Sequence, residues 1–65
     1  MDTKLKLNHR YLIEGFLIGI TELTVIEESE NAYKIEYENG NKTWQKKIEV
    51  KYWKIIDDLG ESLIM

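Results

Sequence analysis

The chain has 65 residues, a net charge of −3 at pH 7, and 43% hydrophobic residues, including seven aromatic side chains. A chain this short buries only about 60% of the surface that it exposes when unfolded, and its apolar content is too high for an intrinsically disordered protein. It has no cysteine and one histidine, which excludes disulfides and a four-ligand zinc site. We therefore expect one small domain, residues 1–65, held by apolar packing, with residues 60–65 frayed.

The first half of the sequence predicts three extended segments. Residues 4–7 alternate polar and apolar side chains, which favours a strand. Residues 11–20 (YLIEGFLIGI) are an almost continuous apolar run that is too short to cross a membrane. This run predicts a strand buried on both faces, in which Gly15 and Gly19 allow bends or close backbone approach. Residues 22–27 alternate again and lead into a polar turn at residues 28–31.

A hairpin is predicted around Asn39-Gly40, which lies between two runs that carry aromatic side chains at alternate positions. This dipeptide favours a two-residue type I′ turn, because both central residues of that turn need positive φ. Such a turn places Ile35 opposite Trp44. One apolar face then carries four side chains: Tyr33, Ile35, Tyr37 and Trp44.

A turn longer by one residue is the alternative, with Gly40 in a β-bulge. It would place Ile35 opposite Thr43 and Lys34 opposite Trp44. Polar and apolar residues would then be mixed on each face of the ribbon, so we expect the two-residue turn.

The carboxy-terminal part carries two competing patterns. Val50 and Tyr52 alternate with charged residues and continue the second hairpin strand. Apolar residues are also spaced by four, three and four positions, as on one face of a helix: Ile48, Tyr52, Ile55 and Leu59. We expect the strand to continue to about Val50. We expect a short helix or helical turn over residues 53–59, because Gly60 is placed to end a helix. The fold class is mainly β, a small twisted antiparallel meander or open barrel of four or five strands.

Residues 20–55 resemble small barrels of the Src-homology-3-like and Tudor-like type. The shared features are a strand and an acidic turn, then residues 33–37 (YKIEY), the Asn39-Gly40 turn, and Trp44 followed by Lys46 and Lys47. The resemblance implies a non-catalytic module that grips peptides or nucleic acids with exposed aromatic side chains. The heavy use of Lys, Ile, Glu, Asn and Tyr also looks like accessory proteins of phages and mobile elements, some of which inhibit host machinery by binding it.

The sequence offers no convergent catalytic set. Nucleophilic catalysis needs a serine or cysteine beside a base; cysteine is absent, the two serines lie in a predicted turn and in the tail, and His9 is the only imidazole. The adjacent carboxylates Glu27-Glu28 and Asp57-Asp58 diverge on a strand and on a helix. No glycine-rich phosphate loop is present. We therefore expect no enzyme activity, no metal and no cofactor.

Charge and aromatic residues suggest a binding function. Residues 42–54 carry five lysines and one glutamate among three aromatic residues, whereas residues 22–38 carry six glutamates and one lysine. Tyr52 and Trp53 are consecutive, so they point in different directions in either a strand or a helix. We expect Trp53 to be exposed between Lys51 and Lys54 as an interface anchor. The main hypothesis is a protein-binding module, an inhibitor or adaptor of a larger host complex, with four partner-binding residues: Tyr52, Trp53, Lys51 and Lys54.

Two alternatives remain open at the sequence level. Lysines beside aromatic rings suit single-stranded nucleic acid, because phosphates bind cations and bases stack on flat faces. The residues for this alternative are Lys42, Trp44, Lys46, Lys47 and Lys51. A short chain with surplus aromatic side chains also completes its core in some cases by forming a homodimer. The amino terminus (MDTKLKLNHR) lacks the apolar region of a signal peptide, so we expect a cytoplasmic protein without membrane contact.

Overall fold

The computed structural model describes residues 3–61, which form one five-stranded antiparallel sheet and one short helix. The elements are β1 (His9–Gly15), β2 (Gly19–Glu28), β3 (Ala32–Tyr37), β4 (Lys42–Lys46), α1 (Lys47–Val50) and β5 (Lys54–Glu61). The strand order is β4-β3-β2-β1-β5, so the last strand returns to pair with the first, and β4 and β5 are the two edges. The predicted mainly β fold, an open meander of five strands with a short helical turn, is confirmed.

The core lies on one face of the sheet. The central strands alternate buried and more exposed residues, as expected for strands with one covered face. The buried residues are Leu5, Tyr11, Ile13, Leu23, Val25, Tyr33, Ile35, Val50 and Trp53. Leu5, Val50 and Trp53 come from outside the strands, so the amino-terminal segment and the α1 region cover the sheet.

Two tyrosine hydroxyls fix the amino-terminal segment on the core. The Lys6 amide donates a hydrogen bond to the Tyr11 hydroxyl at 2.8 Å, and the Leu5 amide donates to the Tyr33 hydroxyl at 3.4 Å. Burial raises the pKa of the Tyr11 hydroxyl above its ordinary value, so this group stays neutral. The prediction of a strand at residues 4–7 is wrong. Backbone amides of residues 3–6 donate hydrogen bonds to tyrosine hydroxyls and to the Lys51 carbonyl, and they form no ladder with a neighbouring strand.

The apolar run at residues 11–20 is a hairpin instead of a single buried strand. Gly15 pairs with Gly19, and a three-residue turn joins β1 to β2. Gly19 has φ of +67°, a conformation that favours glycine at the end of a turn. The two glycines therefore mark the ends of two strands, and Phe16 and Leu17 between them face solvent.

The β3–β4 hairpin is present, but its predicted register is wrong. Ile35 pairs with Thr43 and Lys34 pairs with Trp44, which is the register of the longer turn. Trp44 therefore lies on the face opposite to Ile35 and is 49% exposed. The apolar face predicted for the ribbon, with Ile35 and Trp44 as neighbours, does not form.

The loop geometry explains this register. The Gly40 amide donates to the Tyr37 carbonyl at 2.9 Å and the Tyr37 amide donates to the Asn41 carbonyl at 2.8 Å, which closes a three-residue loop. Gly40 has φ of +91°, whereas Asn39 does not adopt the positive φ that a type I′ turn needs. The Asn39 side chain instead accepts a hydrogen bond from the Asn41 amide at 3.0 Å, a local bond typical of asparagine in turns.

The short helical turn occurs earlier than predicted. It is α1, whereas residues 54–61, most of the predicted helical segment, form β5 beside β1. The β5 register shifts twice, which leaves Ile56 and Leu59 as extra residues in bulges. The helical spacing of apolar residues therefore spans two different elements, because Ile48 lies in α1 whereas Ile55 and Leu59 lie in β5. Gly60 has φ of +89°, but it lies within β5 and does not end a helix. The tail predicted to fray was residues 60–65. Gly60 and Glu61 belong to β5, and residues 62–65 lie outside the described part.

Candidate functional site

An apolar groove lies between the β1–β2 turn and the chain that follows α1. Its volume is about 780 Å³. The residues that line this groove are Phe16, Leu17, Ile18, Gln45, Glu49, Tyr52 and Trp53. Each wall comes from a different part of the sequence, so the fold is needed to form the site.

The first wall is the β1–β2 turn. Phe16 is 98% exposed and Leu17 is 90% exposed, whereas Ile18 packs against the core. Turns usually contain small or polar residues, and folding gains almost nothing from apolar side chains that stay in water. Two large apolar residues at adjacent turn positions therefore form an exposed apolar patch.

The second wall is the turn that follows α1. The Lys51, Tyr52 and Trp53 amides donate to carbonyls of α1 at 3.0, 3.2 and 2.9 Å, which continues the helix as a tight turn. This turn directs Trp53 inward, where it is 8% exposed, and Tyr52 outward, where it is 78% exposed. The prediction that Trp53 is an exposed anchor is wrong, because its side chain belongs to the core, although it also lines the groove.

The two lysines of the predicted protein-binding set do not line the groove themselves. The Lys51 Nζ atom lies 5.1 Å from the centroid of the Tyr52 ring, within range of a cation–π contact. Lys54 begins β5 and is exposed. Of the residues that line the groove, the sequence predicted Tyr52 and Trp53 as partner-binding residues. Phe16 and Leu17 were instead assigned to a buried strand. Their signal was a pair of glycines, Gly15 and Gly19, spaced closely enough to bound a turn.

The residues proposed for nucleic-acid binding are divided between several surfaces. Lys42, Trp44 and Lys46 share the exposed face of β4, and the Lys34 Nζ atom lies 6.0 Å from the Trp44 ring centroid. Lys51 lies instead beside the groove.

Lys47 lines the same hollow as Trp44 and Lys46, and it lines a second hollow together with Lys51. Its Nζ atom donates to a Glu28 carboxylate oxygen at 2.6 Å and lies 4.9 Å from the Tyr33 ring centroid. The hydrogen bond to Glu28 raises the pKa of the Lys47 amine. The fold therefore brings together four of the five residues, although the amine of one of them, Lys47, is paired with Glu28: Lys42, Trp44, Lys46 and Lys47.

A polar contact joins β1 to the end of β5. The Asp58 carboxylate accepts a hydrogen bond from the Gly60 amide at 2.9 Å, and the same oxygen lies 3.2 Å from Nδ1 of His9. The His9 ring stacks on Tyr11 with centroids 5.9 Å apart. The backbone hydrogen bond and His9 lower the pKa of Asp58 below its ordinary value.

This contact predicts a specific pH dependence of stability. Because the pKa of Asp58 is lower in the folded than in the unfolded protein, its stabilising effect is complete above the unfolded pKa of about 3.9 and is lost as the pH falls through the folded pKa. Urea unfolding at pH 7 and at pH values below 4 should show that Asp58→Asn loses less stability on acidification than the wild type. Asp57→Asn is the matched control, because Asp57 forms no side-chain hydrogen bond or ion pair within residues 3–61. An equal acid sensitivity of the Asp58→Asn variant and the wild type would contradict the prediction.

Comparisons with known proteins identify no relative. No protein-family model matches the chain, and no curated protein and no solved structure matches it. Within residues 3–61, no cluster of three or more histidine, aspartate or glutamate side chains is arranged to hold a metal ion. The single helix in that range is too short to cross a membrane. The fold and the groove define a small open antiparallel β-sheet with an apolar surface site.

Proposed function

We propose that this chain is a non-catalytic protein-binding module whose groove holds apolar side chains of a partner. The observation that carries the proposal is the convergence of Phe16, Leu17 and Tyr52, three large and highly exposed side chains, on one groove. Aromatic residues at the centre of an apolar patch are typical of residues that dominate binding energy at protein interfaces. Neither the core nor the strand pairing uses these side chains, so their exposure needs a partner to explain it.

The architecture supports a more specific proposal, that the domain is a small barrel of the Src-homology-3-like or Tudor-like type. The support is the strand order β4-β3-β2-β1-β5 together with a helical turn directly before the last strand. We therefore propose a cytoplasmic adaptor or inhibitor of a larger host complex, in the style of phage accessory proteins.

Selection of binding peptides tests the function. Peptides selected from a displayed random library for binding to the wild-type protein should bind Phe16→Ala and Tyr52→Ala about tenfold or more weakly, which corresponds to at least about 1.4 kcal/mol at a central interface residue. The thermal melting temperature should stay the same, because both side chains are exposed. Affinity should change little when salt is raised from about 50 to about 500 mM, since apolar contacts are not screened.

The control for this selection is Ile20→Ala. Ile20 is 65% exposed and lies on the same hairpin, but it does not line the groove. Selected peptides that bind Phe16→Ala and Tyr52→Ala as tightly as the wild type, or that lose binding to Ile20→Ala, would place the interface elsewhere. A dimer in sedimentation equilibrium that Phe16→Ala dissociates would assign the groove to a second copy of the chain instead.

A further inference from the structure

The outer edge of β4 has free backbone hydrogen-bonding groups. The Tyr37 amide donates to the Asn41 carbonyl, and the Lys47 amide donates to the Asn31 carbonyl. At both ends of the β3–β4 hairpin, the backbone groups that point towards β3 therefore belong to odd-numbered residues. Backbone groups in an antiparallel ladder alternate in direction along a strand. Three residues of β4 therefore point their backbone N–H and C=O groups away from β3: Lys42, Trp44 and Lys46. Lys46 is also the N-cap of α1, so its carbonyl accepts the first hydrogen bond of that helix. The free groups are therefore the N–H and C=O of Lys42 and Trp44 and the N–H of Lys46. No other strand of residues 3–61 pairs with this side.

The same three residues present their side chains on the exposed face of the sheet. Trp44 and the 64% exposed Ile48 border a hollow of about 590 Å³. Lys42 and Lys46 flank Trp44 and form no ion pair with residues 3–61, in contrast to Lys47, which is paired with Glu28. Lysines on an edge strand commonly prevent aggregation, but an exposed tryptophan and isoleucine beside them do not serve that purpose.

We propose that the β4 edge, defined as Lys42, Trp44 and Lys46, accepts an extended segment of a partner protein as a sixth, antiparallel strand. Because side chains on one face of a strand recur at every second residue, the matching segment has the pattern acidic-x-apolar-x-acidic. Its two acidic side chains lie opposite Lys42 and Lys46, and its apolar side chain covers Trp44. Main-chain hydrogen bonds supply affinity in such strand additions, and the side chains supply specificity.

A second copy of the chain fits this edge poorly. Antiparallel pairing of two β4 strands centred on Trp44 would place Lys42 of one copy opposite Lys46 of the other, and like charges directly opposite are destabilising. The other edge, β5, contains two bulges and Gly60 at positive φ, which interrupt a regular ladder. Neither edge of this chain therefore matches the β4 edge of another copy.

A nucleic acid also fits less well than an acidic segment. On the neighbouring strand β3, Glu36 lies opposite Lys42, and Lys34 is paired with Glu27. The positively charged surface of the sheet is therefore no wider than β4. A phosphate backbone offers acceptors only and would leave the outward carbonyls of β4 without donors. The net charge of −3 also repels a long polyanion.

N-methylated peptides test the proposed strand addition. The probe is a synthetic peptide with Glu-Thr-Val-Thr-Glu at its centre, titrated into the protein while the Trp44 indole signal is followed by NMR. An N-methyl group on the central valine removes a ladder hydrogen bond and should weaken binding at least about tenfold, corresponding to about 1.4 kcal/mol. N-methyl groups on the two threonines, whose amides face away from β4, should leave affinity within about twofold, because they remove no bond in the ladder.

Charge reversal provides a second, independent test. Lys42→Glu combined with Lys46→Glu should abolish binding of the acidic peptide and create binding of a peptide with lysines in place of its glutamates. Phe16→Ala should leave both results unchanged, which separates this proposal from the function assigned to the groove. Absence of peptide binding at millimolar concentration and low salt, or equal weakening by both N-methylation patterns, would overturn the proposal. Tighter binding of single-stranded oligothymidine through the same two lysines would also overturn it and favour a nucleic acid.

Discussion

Replacement of Trp53 by alanine is expected to unfold most of the protein, whereas replacement of Trp44 leaves it folded. Trp53 is 8% exposed and packs within the core cluster. Removal of a buried tryptophan side chain costs about 3–5 kcal/mol, and the total stability of a domain this small is only about 3–10 kcal/mol. Circular dichroism at 25 °C should therefore show loss of β structure in Trp53→Ala, and urea unfolding should show a strongly lowered midpoint.

Trp44 is the matched control because it is the only other tryptophan and is 49% exposed. Its replacement by alanine removes a surface contact with Lys34 and should change the free energy of unfolding by less than about 1 kcal/mol. A Trp53→Ala variant that melts at the wild-type temperature would show that the indole ring does not hold the core. Greater destabilisation by Trp44→Ala than by Trp53→Ala would support the register in which Trp44 is buried beside Ile35.

The hairpin shows how far the sequence could predict the fold. Asn39-Gly40 correctly located the chain reversal, but the preference for a type I′ turn gave a register wrong by one residue. That preference requires positive φ at both positions, and only Gly40 adopts it. The choice also assumed that Trp44 must share a face with Ile35. An exposed tryptophan violates hydrophobic patterning, and such violations are expected where a residue serves binding instead of folding.

The groove could be predicted only in part, for a related reason. Consecutive Tyr52 and Trp53 required one ring to face outward, but local sequence does not determine which ring. Space for the Trp53 indole is provided by Gly15, a residue distant in sequence that contacts it only after β1 and the α1 region have packed. The exposure of Phe16 and Leu17 could not be predicted for a different reason. An apolar run has the same composition whether it continues as a strand or reverses direction in a turn.

Replacement of Gly15 by alanine is expected to destabilise the protein by about 1–3 kcal/mol and to displace both walls of the groove. A Cβ atom at this position would lie 2.7 Å from the Ile18 Cγ1 atom and 3.1 Å from the Trp53 Nε1 atom. The Ile18 side chain is able to rotate away, but the rigid indole ring has to move as a unit. The Trp53 indole N–H resonance should therefore shift, and peptides selected for the groove should bind more weakly.

Two further variants separate the contact with Trp53 from other effects of the substitution. Gly19→Ala should lower stability by about 1–2 kcal/mol through its positive φ alone. No atom lies within 4 Å of the added Cβ, so the Trp53 indole resonance should stay in place. Ile18→Ala combined with Gly15→Ala removes the closer clash, at Ile18, while leaving the one with the indole ring. If this double variant recovers the wild-type Trp53 resonance, Ile18 alone accounts for the effect of Gly15→Ala. If the shift remains, the close approach of Gly15 to Trp53 determines where the indole ring lies in the groove.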